Sequence, residues 1–180
     1  MNEDLEKLKS QIEHINQVDI ERRNCWIEHQ GSLDHIHDLL CAPYQGIASI
    51  DALLVKEDEK LVSGESVGFM GDLSQHFTQA YLWVLGAYEI VRTMSQFSDE
   101  TINSALSAQK NEIRALKHKF ELVRVPLAKF EAPRRNPNGY TFAWPIIDKQ
   151  KGTGWLISEG VYVTRRELSD EFLELMKKLP

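Results

Sequence analysis

The chain is short of the features that most often declare a function. No apolar run approaches the ~20 residues that a membrane-spanning helix needs. The most apolar stretch, Ala80 to Ala87, is far too short, and no membrane association is expected. Only two cysteines occur, Cys25 and Cys41, and they do not form a Cys-x-x-Cys metal pair. Two such thiols fit a reducing compartment, so the expectation is a cytoplasmic protein. The segment from Met1 to Ser10 is acidic and polar, unlike a secretory signal. There is no glycine-rich phosphate loop, no Gly-x-Ser-x-Gly elbow and no kinase-type signature. Internal repeats and low-complexity segments are absent too. No cofactor and no bound metal is expected.

What the chain has is helical periodicity. Leu5, Leu8, Ile12, Ile15, Asp19, Arg22, Trp26, His29, Leu33, Ile36 and Leu40 follow one another in steps of three and four. Such a series marks the seam of a helix packed on other helices. It predicts a first helix from about Glu3 to Leu40, with Gly31 as a weak point and Pro43 as its stop. Residues 43–71 read as a mixed segment: Ile47, Ile50, Leu53 and Leu54 could make a short helix. Glu57 to Lys60 and the following glycines read as a loop. A second helix is expected from Asp72, as N-cap, with Leu73, Phe77, Ala80, Val84, Ala87, Val91 and Met94 on its seam. A third carries Ile102, Leu106, Gln109, Ile113, Leu116, Phe120, Val123 and Leu127, ending or kinking at Pro126. The alternation from Tyr140 to Trp144, then Trp155 to Ile157 and Val161 to Val163, reads as three short strands around turns. Thr164 and Glu167 form a capping box ahead of a last helix with Leu168, Phe172, Leu175 and Leu179 on one face.

The fold expected is mainly α: an antiparallel bundle of three long helices plus a C-terminal helix, with coiled-coil-like packing and a small three-stranded β element near the C-terminus. Residues 1–130 would form the bundle. Residues 131–180 would add the small sheet and last helix, packed on the same domain. At 180 residues and 42% apolar, the chain can bury a core without staples.

The net charge of −6 hides an asymmetry. Residues 1–100 hold 7 Lys/Arg against 18 Asp/Glu, a balance of −11, while residues 101–140 hold 8 against 3, a balance of +5. A chain this acidic is no general nucleic-acid coat. The basic block either complements the acidic half, within the chain or in a second copy, or holds phosphate locally. Arg114, His118, Arg124, Arg134 and Arg135 are its candidate phosphate contacts.

Asp19, Arg22 and His29 are the ionisable members of the first seam. Ionisable groups there must be paired, wet or functional. A polar layer that fixes helix register or a partner interface is the leading explanation. Glu89 and Arg92, three apart, read as an intrahelical pair. His29, Asp34, His35, His37 and Asp38 cluster, but His35 and His37 point to different faces, which disfavours a metal site.

Arg23-Asn-Cys-Trp-Ile-Glu-His29 resembles the short Arg-x(4–6)-His motif of the HEPN family of helical-bundle ribonucleases. The resemblance covers seven residues. It would imply RNA cleavage without metal, Arg23 holding the scissile phosphate and His29 moving protons at a dimer interface. The leading functional expectation is a non-enzymatic interaction or regulatory protein, a homodimer or partner of another protein. The HEPN-like ribonuclease is the alternative. A nucleic-acid-binding module using residues 110–135 is a third.

Overall fold

The computed structural model describes residues 18–34, 36, 38–67, 73–97 and 104–179. Helix α1 spans Ile20–Glu28 and α2 is a single turn, Gly31–Asp34. A 3-10 turn, Asp38–Leu40, leads into α3, Cys41–Ser63. Helix α4 spans Leu73–Phe97, α5 Ser104–Ala108 and α6 Lys110–Ala128. Strands β1 (Trp144–Asp148), β2 (Gly152–Ser158) and β3 (Val161–Thr164) form an antiparallel sheet in sequence order, followed by α7, Arg165–Lys178. The protein is thus a mainly helical bundle with a small three-stranded sheet near the C-terminus.

The long helices differ from those the periodicity suggests. The described part of the first series is not one helix. It breaks at His29-Gln30, just before Gly31, and again before Asp38. Pro43 does not stop a helix but lies in the first turn of one, where a missing N–H breaks no helical bond. Residues 43–63 are not a mixed segment: they belong to α3, which closes at Gly64 with φ of 82°. Glu57 to Lys60 lie on that helix and not on a loop. The expected cap Asp72 and the seam residues 5, 8, 12, 15 and 102 lie outside the described residues. Pro126 sits inside α6, which runs two residues further to Ala128.

The sheet differs in its first two strands: β1 lies further along the chain than expected, and β2 begins at Gly152 and not at Trp155. Pairing begins at Trp144, opposite Leu156, and not at Tyr140. Tyr140 N donates to Ile157 O at 2.7 Å, out of step with the register that sets Trp144 opposite Leu156, so residues 140–143 approach β2 without joining its ladder. Asp148 Oδ1 closes the first turn by accepting from the N–H groups of Gln150 and Lys151. The capping box forms as expected: Thr164 accepts from Glu167 N while Glu167 accepts from Thr164 N.

One core joins bundle and sheet. Trp26 and Phe172 meet edge to face at 5.2 Å, and Phe120 meets Phe172 likewise at 6.4 Å. Val84, Leu116, Trp155, Ile157 and Leu168 complete the same apolar cluster. The inner face of β2 lies against α3 and α7, and this places a set of ionisable groups at the junction.

Candidate functional site

Helix α3 carries its own 3/4 series: Tyr44, Ile47, Asp51, Leu54 and Asp58 are all buried. Asp51 and Asp58 are seven apart, hence on one face. His76 occupies the matching position on α4, and Arg165 and Ser169 on α7. The seams of α1, α3, α4 and α7 each contribute ionisable or polar groups to one buried network.

Arg165, fully buried, donates to Asp51 Oδ1 at 2.5 Å and to Asp58 Oδ2 at 2.6 Å. Its guanidinium also lies 5.6 Å from the Trp83 ring. Arg22 Nε donates to Asp51 Oδ2 at 2.5 Å, and its Nη2 reaches Ser169 Oγ and Asp170. The Trp26 indole donates to Asp51 Oδ2 and the Ser169 hydroxyl to Asp51 Oδ1. Thr153 N donates to Asp58 Oδ1. Burial alone would raise both aspartates. Arg165 beside both, Arg22 beside Asp51, and the hydrogen bonds outweigh it, so both carboxyls are held below the usual range.

His76, also fully buried, has Glu57 Oε2 at 2.6 Å from Nδ1 and Thr153 Oγ1 at 2.5 Å from Nε2. Asp58 Oδ1 lies 3.4 Å from Nε2. Burial alone would lower its pKa, but the bonds to Asp58 and Glu57 raise it overall. With His76 protonated, the cations Arg22, Arg165 and His76 balance the carboxylates Asp51, Glu57 and Asp58. Hydroxyl, imidazole and carboxylate in a row are also the order of a nucleophile, base and orienter. Thr153 and His76 are both fully buried, and neither described pocket is lined by them. The arrangement ties β2 to α3 and α4.

An open site lies at the other end of α6. A pocket of ≈ 390 Å³ is lined by His118, Arg124, Lys129, Arg134 and Arg135, with Glu121 and Glu131 among the remaining groups. Four permanent cations against two carboxylates leave it at +2. Glu121 is engaged by His118 at 2.9 Å and Lys117 at 3.5 Å; burial opposes these contacts, which still lower its pKa. Arg124 stacks over Tyr88 at 5.0 Å and has Glu89 at 3.8 Å, yet its Nε is buried without a hydrogen-bond partner. Lys129, Arg134 and Arg135 have no ion pair among the described residues. A second pocket, between α6 and α7, is crossed by Lys119–Glu171 and Lys178–Glu112 pairs.

The groups singled out by sequence are distributed as follows. Asp19 is the N-cap of α1, accepting from Arg22 N at 2.9 Å. Arg22 joins the buried network. His29 is the C-cap of α1, its Nδ1 2.7 Å from Cys25 O. Arg23 Nε donates to Ser49 Oγ on α3 at 3.3 Å. His118, Arg124, Arg134 and Arg135 come together in the basic pocket; Arg114 is exposed on α6 and does not line it. Glu89 and Arg92 do pair, at 2.7 Å. His35, His37 and the side chains of Asp34 and Asp38 lie outside the described residues. Sequence reasoning missed Asp51, Asp58, His76, Thr153 and Arg165.

Among the described residues no group of three or more His, Cys, Asp or Glu side chains could hold a metal ion. No helix among them is long and apolar enough to cross a membrane. No family model matches the chain, and neither a curated protein nor a solved structure does.

Proposed function

We propose that the chain is a non-enzymatic interaction or regulatory protein whose working site is the basic pocket, and that the pocket takes a phosphate-bearing group. The observation that carries this reading is convergence. His118 and Arg124 come from α6, and Lys129, Arg134 and Arg135 from the segment that turns back over its end. Three of these cations have no ion pair among the described residues, and Arg124 Nε has no hydrogen-bond partner. Four cations facing two carboxylates are only half neutralised and repel one another, which an anion relieves. The pocket's volume lies in the range of small-ligand sites. Arg134 and Arg135 are exposed, so their role in holding the fold is slight.

Calorimetric titration with tripolyphosphate tests the reading. Binding should weaken as salt rises, and an Arg134→Gln/Arg135→Gln protein should bind more weakly with a salt slope flatter by about 1–2. Absence of binding at low salt, or affinity unchanged in the double variant, would overturn it. Self-association belongs to the same proposal. Long seams can pair between two copies of a chain, but Trp26, Leu33 and Ile36 of the first seam are covered within this one. A concentration-dependent mass in light scattering would support it on other grounds.

A further inference from the structure

The basic pocket adjoins a second feature, a run of exposed aromatic rings. Trp144 is paired with Leu156 and Leu156 with Tyr162, one residue from each strand. Directly opposed residues in antiparallel strands share a face. The row Trp144–Leu156–Tyr162 therefore crosses the outer face of the sheet, opposite the face that buries Thr153, Trp155 and Ile157. Trp144 is 57% exposed and Tyr162 46%. Phe142 lies edge-on to Trp144 at 5.1 Å, and Phe130 stacks on Phe142 at 5.9 Å with planes 12° apart.

Phe130 ties this row to the pocket. It stands between Lys129 and Glu131, both pocket-lining. It is 64% exposed and has φ of 56°. That region is uncommon for a bulky residue and costs on the order of 1 kcal/mol or more. This strained residue leaves an aromatic ring at the surface, beside cations.

We propose that the pocket and the outer sheet face together bind single-stranded nucleic acid. The inference rests on the anion reading of the pocket and names the ligand that carries the phosphate. Backbone phosphates sit among Arg124, Lys129, Arg134 and Arg135, while unpaired bases stack on Phe130, Phe142, Trp144 and Tyr162. Base stacking on aromatic rings beside a cationic groove is the physical basis of single-strand binding. A duplex hides the faces of its bases, so the rings would gain little from it. An apolar protein partner fits less well, because protein interfaces are depleted of charge at their centres, whereas this face runs into a pocket of net +2. The acidity of the rest of the chain confines the contact to a short stretch of strand.

Fluorescence anisotropy with the full chain tests the inference. The probes are a labelled mixed-sequence single strand of about ten nucleotides, as RNA and as DNA, the same sequence as a duplex, and tripolyphosphate as competitor. The expected result is that the single strand binds more tightly than the duplex. Phe142→Ala/Trp144→Ala should weaken it by about 5- to 100-fold per stacked base while leaving tripolyphosphate affinity unchanged. Phe142→Tyr/Trp144→Tyr should restore most of the loss. Arg134→Gln/Arg135→Gln should weaken both ligands. Circular dichroism establishes that each variant is folded, which exposed positions favour.

If tripolyphosphate binds but the single strand gains nothing from the aromatic residues, the nucleic-acid inference falls and the anion pocket stands. If neither ligand binds, both fall. Equal affinity for single strand and duplex would also overturn the inference. So would a Phe142→Ala/Trp144→Ala protein that loses a dimer in light scattering with its oligonucleotide affinity intact, since the face would then be a self-association surface.

Discussion

Replacing Arg165 with methionine tests the buried network most directly. Methionine keeps much of the length and the apolar contact with Trp83, but removes three donated hydrogen bonds, one to Asp51 and two to Asp58. Asp51 would retain Arg22, Trp26 and Ser169 as donors. Asp58 would retain Thr153 N and His76. The loss is therefore concentrated on two buried carboxylates that keep only part of their compensation. Removing one partner of a buried ion pair costs about 3–5 kcal/mol. For a chain of this length that corresponds to a fall in Tm of roughly 6–20 °C. The cost must also depend on pH, and its sign is fixed. Asp51 and Asp58 have pKa values held below their unfolded values, so they stabilise the fold above the unfolded carboxylate pKa of about 4 and lose that contribution as pH falls through the folded values. Without Arg165 the carboxyls can accept protons more readily, so the gap between the two proteins should narrow on acidification. Urea unfolding at pH 7 and at about pH 4 measures both quantities. A variant within about 1 kcal/mol of the parent at pH 7, or a gap as wide at the lower pH, would refute the assignment of Arg165 as the charge that holds these aspartates.

Three further outcomes follow from named contacts. His76 has a raised pKa, so its contribution is complete below its unfolded pKa of about 6.5 and is lost as pH rises through the folded value; thermal melts should show a fall in stability over that alkaline-going range, and a His76→Gln protein should lack it. Gly152 has φ of 74°, and an added Cβ would overlap the Asp58 carboxylate, so Gly152→Ala should destabilise by about 2 kcal/mol or more in chemical unfolding, whereas Gly160→Ala, with open space around it, should cost less. Under the binding reading a labelled RNA should stay intact on a denaturing gel in EDTA; cleavage that disappears in a His29→Ala protein would instead favour the Arg23/His29 pair and count against a non-enzymatic role.

How much was legible in the sequence depends on whether the signal was local. The capping box at Thr164 and Glu167 spans four residues and forms as expected; Ala80 to Met94 on α4 and Ile113 to Val123 on α6 are buried as their seams predict, whereas Leu73 is exposed and the third series breaks into two helices at Gln109. Helix α3 was lost because four consecutive charged residues, Glu57 to Lys60, look solvated in a linear reading. Two buried positions on the same helix are aspartates, so its 3/4 series does not register as apolar. With Asp51 and Asp58 counted beside Tyr44, Ile47 and Leu54, the series is complete. The network itself was out of reach: Arg22 meets Asp51 across 29 residues, and Arg165 meets Asp58 and Asp51 across 107 and 114. The basic pocket was half legible. Composition marked the block, but bringing Arg134 back to Arg124 requires a reversal at Phe130, and a left-handed phenylalanine leaves no trace that a glycine would.

The two sites are linked by one strand. The inner face of β2 presents Thr153 to His76 and its backbone N–H to Asp58; its outer face presents Leu156 between Trp144 and Tyr162. A small sheet needs a hydrophobic face or a helix to pack on before it is stable. Packing against α3 and α7 supplies apolar contact, which fixes the face that points inward but is less sensitive to a two-residue slip that keeps that face buried. Charge-assisted bonds to single atoms are sensitive to any slip. Asp58 accepts from Thr153 N on β2 and from Arg165, the first residue after β3, and so fixes both strands against one helix position. A register slip of one residue would move Thr153 away from His76 and turn Leu156 inward, taking the outer row with it. The buried charges, which cost desolvation and are weak as a source of net stability, are therefore best understood as what sets the order of the aromatic face outside.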